Sequence, residues 1–182
     1  MFDGRFKTQI ERYVRPVGES LRRTGLSPDH FTLLGLCVAA ASAVAIGAGK
    51  MQLGLLLVIC SALPDLLDGA LAKASNSASQ RGAFFDSVVD RVSDSFLFGG
   101  VAWFYASSDT PQFSIVPFAI LGASLIISYE RAKAESLGLY AKGGLMERAE
   151  RIILLCFGLL FDSLLKWVLV VMLVLVVMTA VQ

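Results

Sequence analysis

Four aspartates within residues 65–90 carry the most chemistry in this chain. Asp65 and Asp68 stand three residues apart, and Asp86 and Asp90 four apart, so on helices each pair shares one face. Two such pairs from adjacent helices can converge on one point. Four negative charges this close to lipid repel one another and are costly to desolvate unless a cation neutralises them. All-oxygen coordination suits hard Mg²⁺ or Mn²⁺ rather than zinc, and four carboxylates exceed what a single Mg²⁺ usually takes. A two-metal clamp on a phosphate-containing substrate is the expectation. Gly69, Ala70, Ala72, Gly82 and Ala83 leave room for a ligand to approach the backbone closely. Lys73 adds a cation beside the acidic cluster, where a diphosphate would lie. The bland alternative pairs the aspartates with Lys73, Arg81 and Arg91, but ion pairing does not explain the paired spacings or the small residues between them.

The elements that must position these carboxylates are membrane helices. Hydrophobic residues make up 55% of the 182 residues before 16 Gly are counted, where soluble domains reach ~45–50% with Gly included. Charged residues are only 17%. A disordered chain, a disulfide-rich secreted domain and a soluble nucleic-acid binder are excluded. Runs without a charged residue cover 31–49, 51–64, 95–108, 110–129, 152–161 and 167–182, and a spanning helix needs ~20 mostly apolar residues. Runs 51–64 and 95–108 reach that length only if their polar neighbours join the same helices, which places carboxylates at membrane depth, a functional flag. Read as one helix, 152–182 would extend ~46 Å, too long for a ~30 Å hydrocarbon core; a tight hairpin around Asp162 and Lys166 avoids this. The predicted fold is all-α, a polytopic membrane protein with six transmembrane helices, the fifth starting near Glu147.

Basic residues orient it. Arg5, Lys7, Arg12, Arg15, Arg22 and Arg23 precede the first span; Lys73, Arg81 and Arg91 flank the junction of spans two and three; Arg131, Lys133, Lys142, Arg148 and Arg151 lie between spans four and five. Lys50 and Lys166 alone lie in the alternate loops. By the positive-inside rule both termini and the active site are expected on the cytoplasmic side of the cell membrane. Phe2, Phe6, Ile10, Val14, Val17 and Leu21 recur every three or four residues among charges, an apolar stripe suited to an amphipathic helix on the membrane surface. The expected organisation is therefore a juxtamembrane helix over 1–26 and a six-helix membrane domain over 27–182. Packing of that stripe on a soluble partner is the alternative, and Ser27, Pro28 and Asp29 break the helix.

Other features are weaker. Cys37, Cys60 and Cys156 sit in apolar runs without ligand spacing, which favours core packing. Trp103, Tyr105 and Trp167 fall near span ends, as an aromatic belt would place them. The last apolar run stops at Gln182 with no closing basic residue, the pattern of a truncated terminus, beyond which a further acceptor-site cation is expected.

Asp65-x2-Asp68-Gly69-x2-Ala72-Lys73-x8-Gly82-x3-Asp86-x3-Asp90 resembles the signature of the CDP-alcohol phosphotransferases, DxxDGxxAR followed by GxxxDxxxD. Lys73 stands where that signature has Arg, which keeps the charge and loses the bidentate fork. The resemblance implies a Mg²⁺-dependent transfer. Asp65, Asp68 and Asp86 would hold one ion and Asp65, Asp86 and Asp90 a second, with Asp90 the catalytic base toward an acceptor hydroxyl. CMP would leave from a CDP-linked lipid. It also implies that Gly69, Lys73 and a turn from Ser79 to Gly82 contact the CDP portion, that Pro28, Asp29, His30 and Phe31 border the nucleotide, and that the chain forms a homodimer.

The acceptor needs its own site. Arg131, Lys133, Arg148 and Arg151 cluster at the ends of spans four and five, and clustered cations on one rim would bind an acceptor that is itself phosphorylated. Topology alone would put cations there, yet it does not explain their alternation with Glu130, Glu135, Glu147 and Glu150. Within the family, Ser128-Tyr129-x2-Ala132-x-Ala134-Glu135 and Gly143-Gly144-x2-Glu147-Arg148-x-Glu150-Arg151 are most similar to the actinobacterial phosphatidylinositol phosphate synthases. That likeness implies CDP-diacylglycerol as donor and inositol phosphate as acceptor (1D-myo-inositol 3-phosphate, the same compound as L-myo-inositol 1-phosphate and called inositol 1-phosphate below), giving phosphatidylinositol phosphate. Glycerol 3-phosphate is the alternative acceptor, and a non-enzymatic divalent-cation-binding protein or transporter the alternative of another class.

Overall fold

Proline at the first position of a helix loses no hydrogen bond and presets φ, and Pro28 opens helix α1, Pro28–Gly47. The computed structural model describes residues 28–62, 80–139 and 143–182. The helix expected over 1–26, together with Asp65, Asp68, Gly69, Lys73 and Ser79, lies outside the described residues. Helix α2 follows at Met51–Ala62, then α3 at Gln80–Ala106, α4 at Ile115–Ser136, α5 at Arg148–Leu160 and α6 at Leu165–Val181. Short 3₁₀ turns, Pro111–Ser114 and Asp162–Leu164, lead into α4 and α6. Among the described residues there is no strand.

The helices end where the sequence supplies turn chemistry. After α1, Gly49 adopts φ 76°, and the N–H groups of Gly49 and Lys50 donate to the carbonyls of Ile46 and Ala45, both at 2.9 Å. That is the Schellman closure, which favours Gly because it needs the left-handed conformation. Gly138, at φ 73°, ends α4 in the same way, with Gly138 and Leu139 donating to Glu135 and Ala134. The hairpin expected around residues 162–166 forms as the 3₁₀ turn between α5 and α6. Run 95–108 is continued N-terminally by its polar neighbours in α3, which carries Asp86 and Asp90.

Three helical stretches, His30–Gly47, Pro111–Ser136 and Asp162–Val181, are long and apolar enough to cross a membrane, and Met51–Ala62 is a shorter apolar helix. Helix α6 buries Leu165, Leu169, Met172 and Val176 on one face while exposing Trp167, Val171 and Val174 on the other. A helix apolar on every side suits lipid rather than water. Lipid tails are as apolar as these side chains, so close packing rather than escape from water holds such helices together.

The chain divides into two compact units, each of which takes part of α1, α2 and α3. One contains the described residues 28–38, 60–62 and 80–92. The other contains 39–59 and 93–182 and holds a core built from Ile46, Val58, Phe98, Ile120, Leu155, Leu169 and Met172. In that second unit small residues set the helix spacing. A Cβ on Gly100 would lie 2.5 Å from the Ala43 carbonyl oxygen, so α1 and α3 touch backbone to backbone. The buried Ser42 hydroxyl donates to the Gly54 carbonyl at 3.0 Å and ties α1 to α2. Helix α6 packs against both α4 and α5.

Three expectations are corrected. Tyr105 is not a belt residue: it is 3% exposed, and its ring packs edge-on against Phe104 and Phe113, because the turn at Pro111–Ser114 folds back over it. Trp103 and Trp167 remain exposed. Cys37 is exposed rather than packed in a core, whereas Cys60 and Cys156 are half-buried. The turn expected from Ser79 to Gly82 is already helix from Gln80 onward, since nothing between Gln80 and Asp86 except Gly82 opposes helix formation.

Candidate functional site

In the first unit the site residues lie along α3. Gly82, Asp86 and Asp90 follow one another at intervals of four on this helix and share a face. Asp86 is exposed and Asp90 half-buried, while Val89 faces the interior. Arg91 is drawn along its own helix: its guanidinium donates to the Ser87 carbonyl at 2.5 Å and to the Ser87 hydroxyl at 2.8 Å. His30 is exposed and Phe31 half-buried in the first turn of α1, and Pro28 and Asp29 belong to the same turn. Among the described residues no group of three or more His, Cys, Asp or Glu side chains converges into a metal site. Asp86 and Asp90 offer oxygen ligands only, one turn apart, with a glycine one turn before them. This donor set fits a hard divalent cation.

In the second unit the predicted acceptor cations divide into two kinds. Arg131, near the end of α4, pairs with Glu147 at 2.9 Å, and both side chains are well exposed at 36% and 44%. Lys133 is exposed on the same turn. The Glu147 carboxylate therefore accounts for part of the alternation of charges seen in the sequence. Arg148 and Arg151, in the first turn of α5, both reach Asp94 on α3. Arg151 Nη2 donates to Asp94 Oδ2 at 2.9 Å with side-chain exposures of 5% and 6%. Arg148 Nε donates to Asp94 Oδ1 at 3.4 Å with its own side chain 32% exposed. One carboxylate thus divides its two oxygens between a buried and a half-exposed guanidinium.

The network continues into the backbone. Arg151 Nη1 donates to the Met146 carbonyl at 3.3 Å, and the Met146 N–H donates to the Thr179 hydroxyl oxygen at 3.0 Å. The Thr179 hydroxyl in turn donates to the Leu175 carbonyl at 2.8 Å within α6. Gly144 makes this approach possible, because a Cβ there would lie 2.5 Å from Thr179 Cγ2. Among the described residues, the buried atoms Arg151 Nε and Glu150 Oε2 have no hydrogen-bond partner.

Asp94, Met146 and Thr179 are the residues that sequence reasoning missed. For Asp94 a signal existed, since it extends the four-residue spacing of Asp86 and Asp90 by one more step. Thr179 gave none, being one hydroxyl inside an apolar run.

Comparison with known proteins extends these observations over nearly the whole chain. Residues 26–181 match the family described as CDP-alcohol phosphatidyltransferase. The chain is 36% identical over 146 residues to the phosphatidylinositol phosphate synthase of Mycolicibacterium smegmatis, covering 79% of this chain and 66% of that one. It thus spans about two thirds of that relative's length. The crystal structure of the Mycobacterium tuberculosis phosphatidylinositol phosphate synthase with CDP-DAG bound superimposes with a TM-score of 0.87 at 35% identity, over 94% of this chain and 91% of that one. The same enzyme in complex with manganese and citrate also gives 0.87, at 33% identity, over 93% and 86% of the two chains.

Proposed function

Because the chain belongs to the CDP-alcohol phosphatidyltransferase family, we propose that it transfers the phosphatidyl group of CDP-diacylglycerol to a hydroxyl of inositol phosphate, releasing CMP. The observation that carries this reading is the likeness, over 94% of the chain, to a phosphatidylinositol phosphate synthase solved with CDP-DAG. The membrane-suited helices supply the setting a lipid substrate requires. In the proposed arrangement six helices cross the cell membrane as one domain over 27–182, an amphipathic helix over 1–26 lies on its surface, and the active site and both termini face the cytoplasm. The protein works as a homodimer.

Asp65, Asp68, Asp86 and Asp90 would hold two Mg²⁺ ions, for which Mn²⁺, present in a related structure, can substitute. Bound there, the ions supply positive charge against the diphosphate as charge develops on it. The chain's own residues do the rest. Asp90 takes the proton from the acceptor hydroxyl as its oxygen forms a bond to the lipid-bearing phosphorus, and the bond from that phosphorus to CMP breaks. Gly69, Gly82, Ser79 and Lys73 hold the CDP portion, and Pro28, Asp29, His30 and Phe31 close its border. Arg131, Lys133 and Arg148 form the cationic rim that draws in the phosphorylated acceptor, and the buried Arg151 stands behind it.

CMP release by the purified full-length protein in lipid nanodiscs, with CDP-diacylglycerol and Mg²⁺, tests this reading. Inositol 1-phosphate is expected to support turnover at a kcat/KM at least about tenfold above glycerol 3-phosphate. No CMP release with either acceptor would overturn it.

A further inference from the structure

The acceptor cations are not equivalent, and the structure shows what distinguishes them. Arg151 is 4% exposed, too enclosed for a freely moving arm, and it is fastened at two points, Asp94 Oδ2 and the Met146 carbonyl. Arg148 shares the same carboxylate through Asp94 Oδ1 and keeps a third of its side chain open. Asp94 is itself 4% exposed, so its charge is held away from water and acts strongly on both guanidinium groups. Thr179 fixes the backbone of Met146 on the far side of Arg151. The chain Thr179, Met146, Arg151, Asp94 and Arg148 thus runs from the end of α6 through the first turn of α5 to α3 without a break. Held groups lose less freedom on binding a ligand, which is how a preorganised site gains affinity.

We propose that Asp94 is a positioning residue for the acceptor phosphate: it anchors Arg151 as a fixed strut, orients Arg148 toward the phosphate, and relies on Thr179 to hold the strut's backbone end. This deepens the acceptor site proposed above and rests on that reading. Asp94 takes no part in the proton transfer assigned to Asp90, and it makes its contacts with arginine rather than with donor lipid. The inference assigns Arg148 the direct phosphate contact and Arg151 a supporting one.

Steady-state kinetics of Asp94→Asn and Thr179→Val, with wild type and Thr179→Ser alongside, test it in nanodiscs. Asp94→Asn keeps the size and removes the charge; Thr179→Val keeps the shape and removes the hydroxyl. The expected result is a KM for inositol 1-phosphate raised about tenfold or more in Asp94→Asn and about threefold in Thr179→Val, with kcat and the KM for CDP-diacylglycerol within about twofold of wild type. Thr179→Ser should restore the wild-type acceptor KM. Thermal stabilisation of the protein by millimolar inositol 1-phosphate should fall in parallel, a readout that needs no turnover. If Asp94→Asn does not survive purification, Thr179→Val carries the test through the same two readouts. An unchanged acceptor KM, or equal losses for both substrates, overturns the proposal. Failure of the functional reading shows differently, as a wild-type protein that neither turns over nor is stabilised by inositol 1-phosphate.

Discussion

Arg151 and Asp94 form a buried ion pair across 2.9 Å, joining the first turn of α5 to the middle of α3 with both side chains more than nine-tenths enclosed. Breaking such a pair by removing one partner leaves a buried charge without compensation. Asp94→Ala, which strands the buried Arg151 guanidinium without a carboxylate, is therefore expected to cost about 3–5 kcal/mol of stability. The exposed pair Arg131–Glu147 is the contrast, and Arg131→Ala should cost under about 1 kcal/mol. Thermal unfolding of the detergent-solubilised protein checks both, and equal losses in the two variants would refute the distinction.

The backbone approach of α1 and α3 makes a second expectation. Gly100→Ala would set a Cβ 2.5 Å from the Ala43 carbonyl oxygen, and overpacking of this kind costs about 1–3 kcal/mol. Its neighbour Gly99 has nothing within 4 Å of an added Cβ, so Gly99→Ala should be neutral or stabilising by up to about 1 kcal/mol. The two variants differ by a single position along one helix, and their unfolding temperatures should move apart.

Metal removal gives a third. Dialysis against EDTA should abolish CMP release, and Mg²⁺ or Mn²⁺ should restore it while Ca²⁺, larger and more irregular in its geometry, should not. Asp86→Asn should raise the Mg²⁺ concentration needed for half-maximal activity. Asp90→Asn should lower kcat by about 10²–10⁴ even at saturating Mg²⁺. Full turnover in Asp90→Asn would remove the assigned base.

Much of this fold was legible because its signals are local. Charge-free runs place α1, α4 and the hairpin before α6, and the length limit of the hydrocarbon core already demands that hairpin. The face shared by Asp86 and Asp90 follows from spacing alone. What could not be read depends on tertiary contacts. Tyr105 is buried only because a 3₁₀ turn some six residues later folds its own Phe113 onto the ring, and that return is invisible to periodicity. Asp94 looks like one more charge beside a motif until α5 brings two arginines to it. Thr179 is a single hydroxyl in an apolar run until the loop before α5 closes against it.

The most direct test of the central claim is acceptor-dependent CMP release from CDP-diacylglycerol by the full-length protein with Mg²⁺, comparing inositol 1-phosphate with glycerol 3-phosphate at equal concentration. The account predicts turnover that depends on the added acceptor, a lipid product carrying the inositol phosphate, and a clear preference for inositol 1-phosphate. Equal or greater turnover with glycerol 3-phosphate, or no CMP with either, would contradict it.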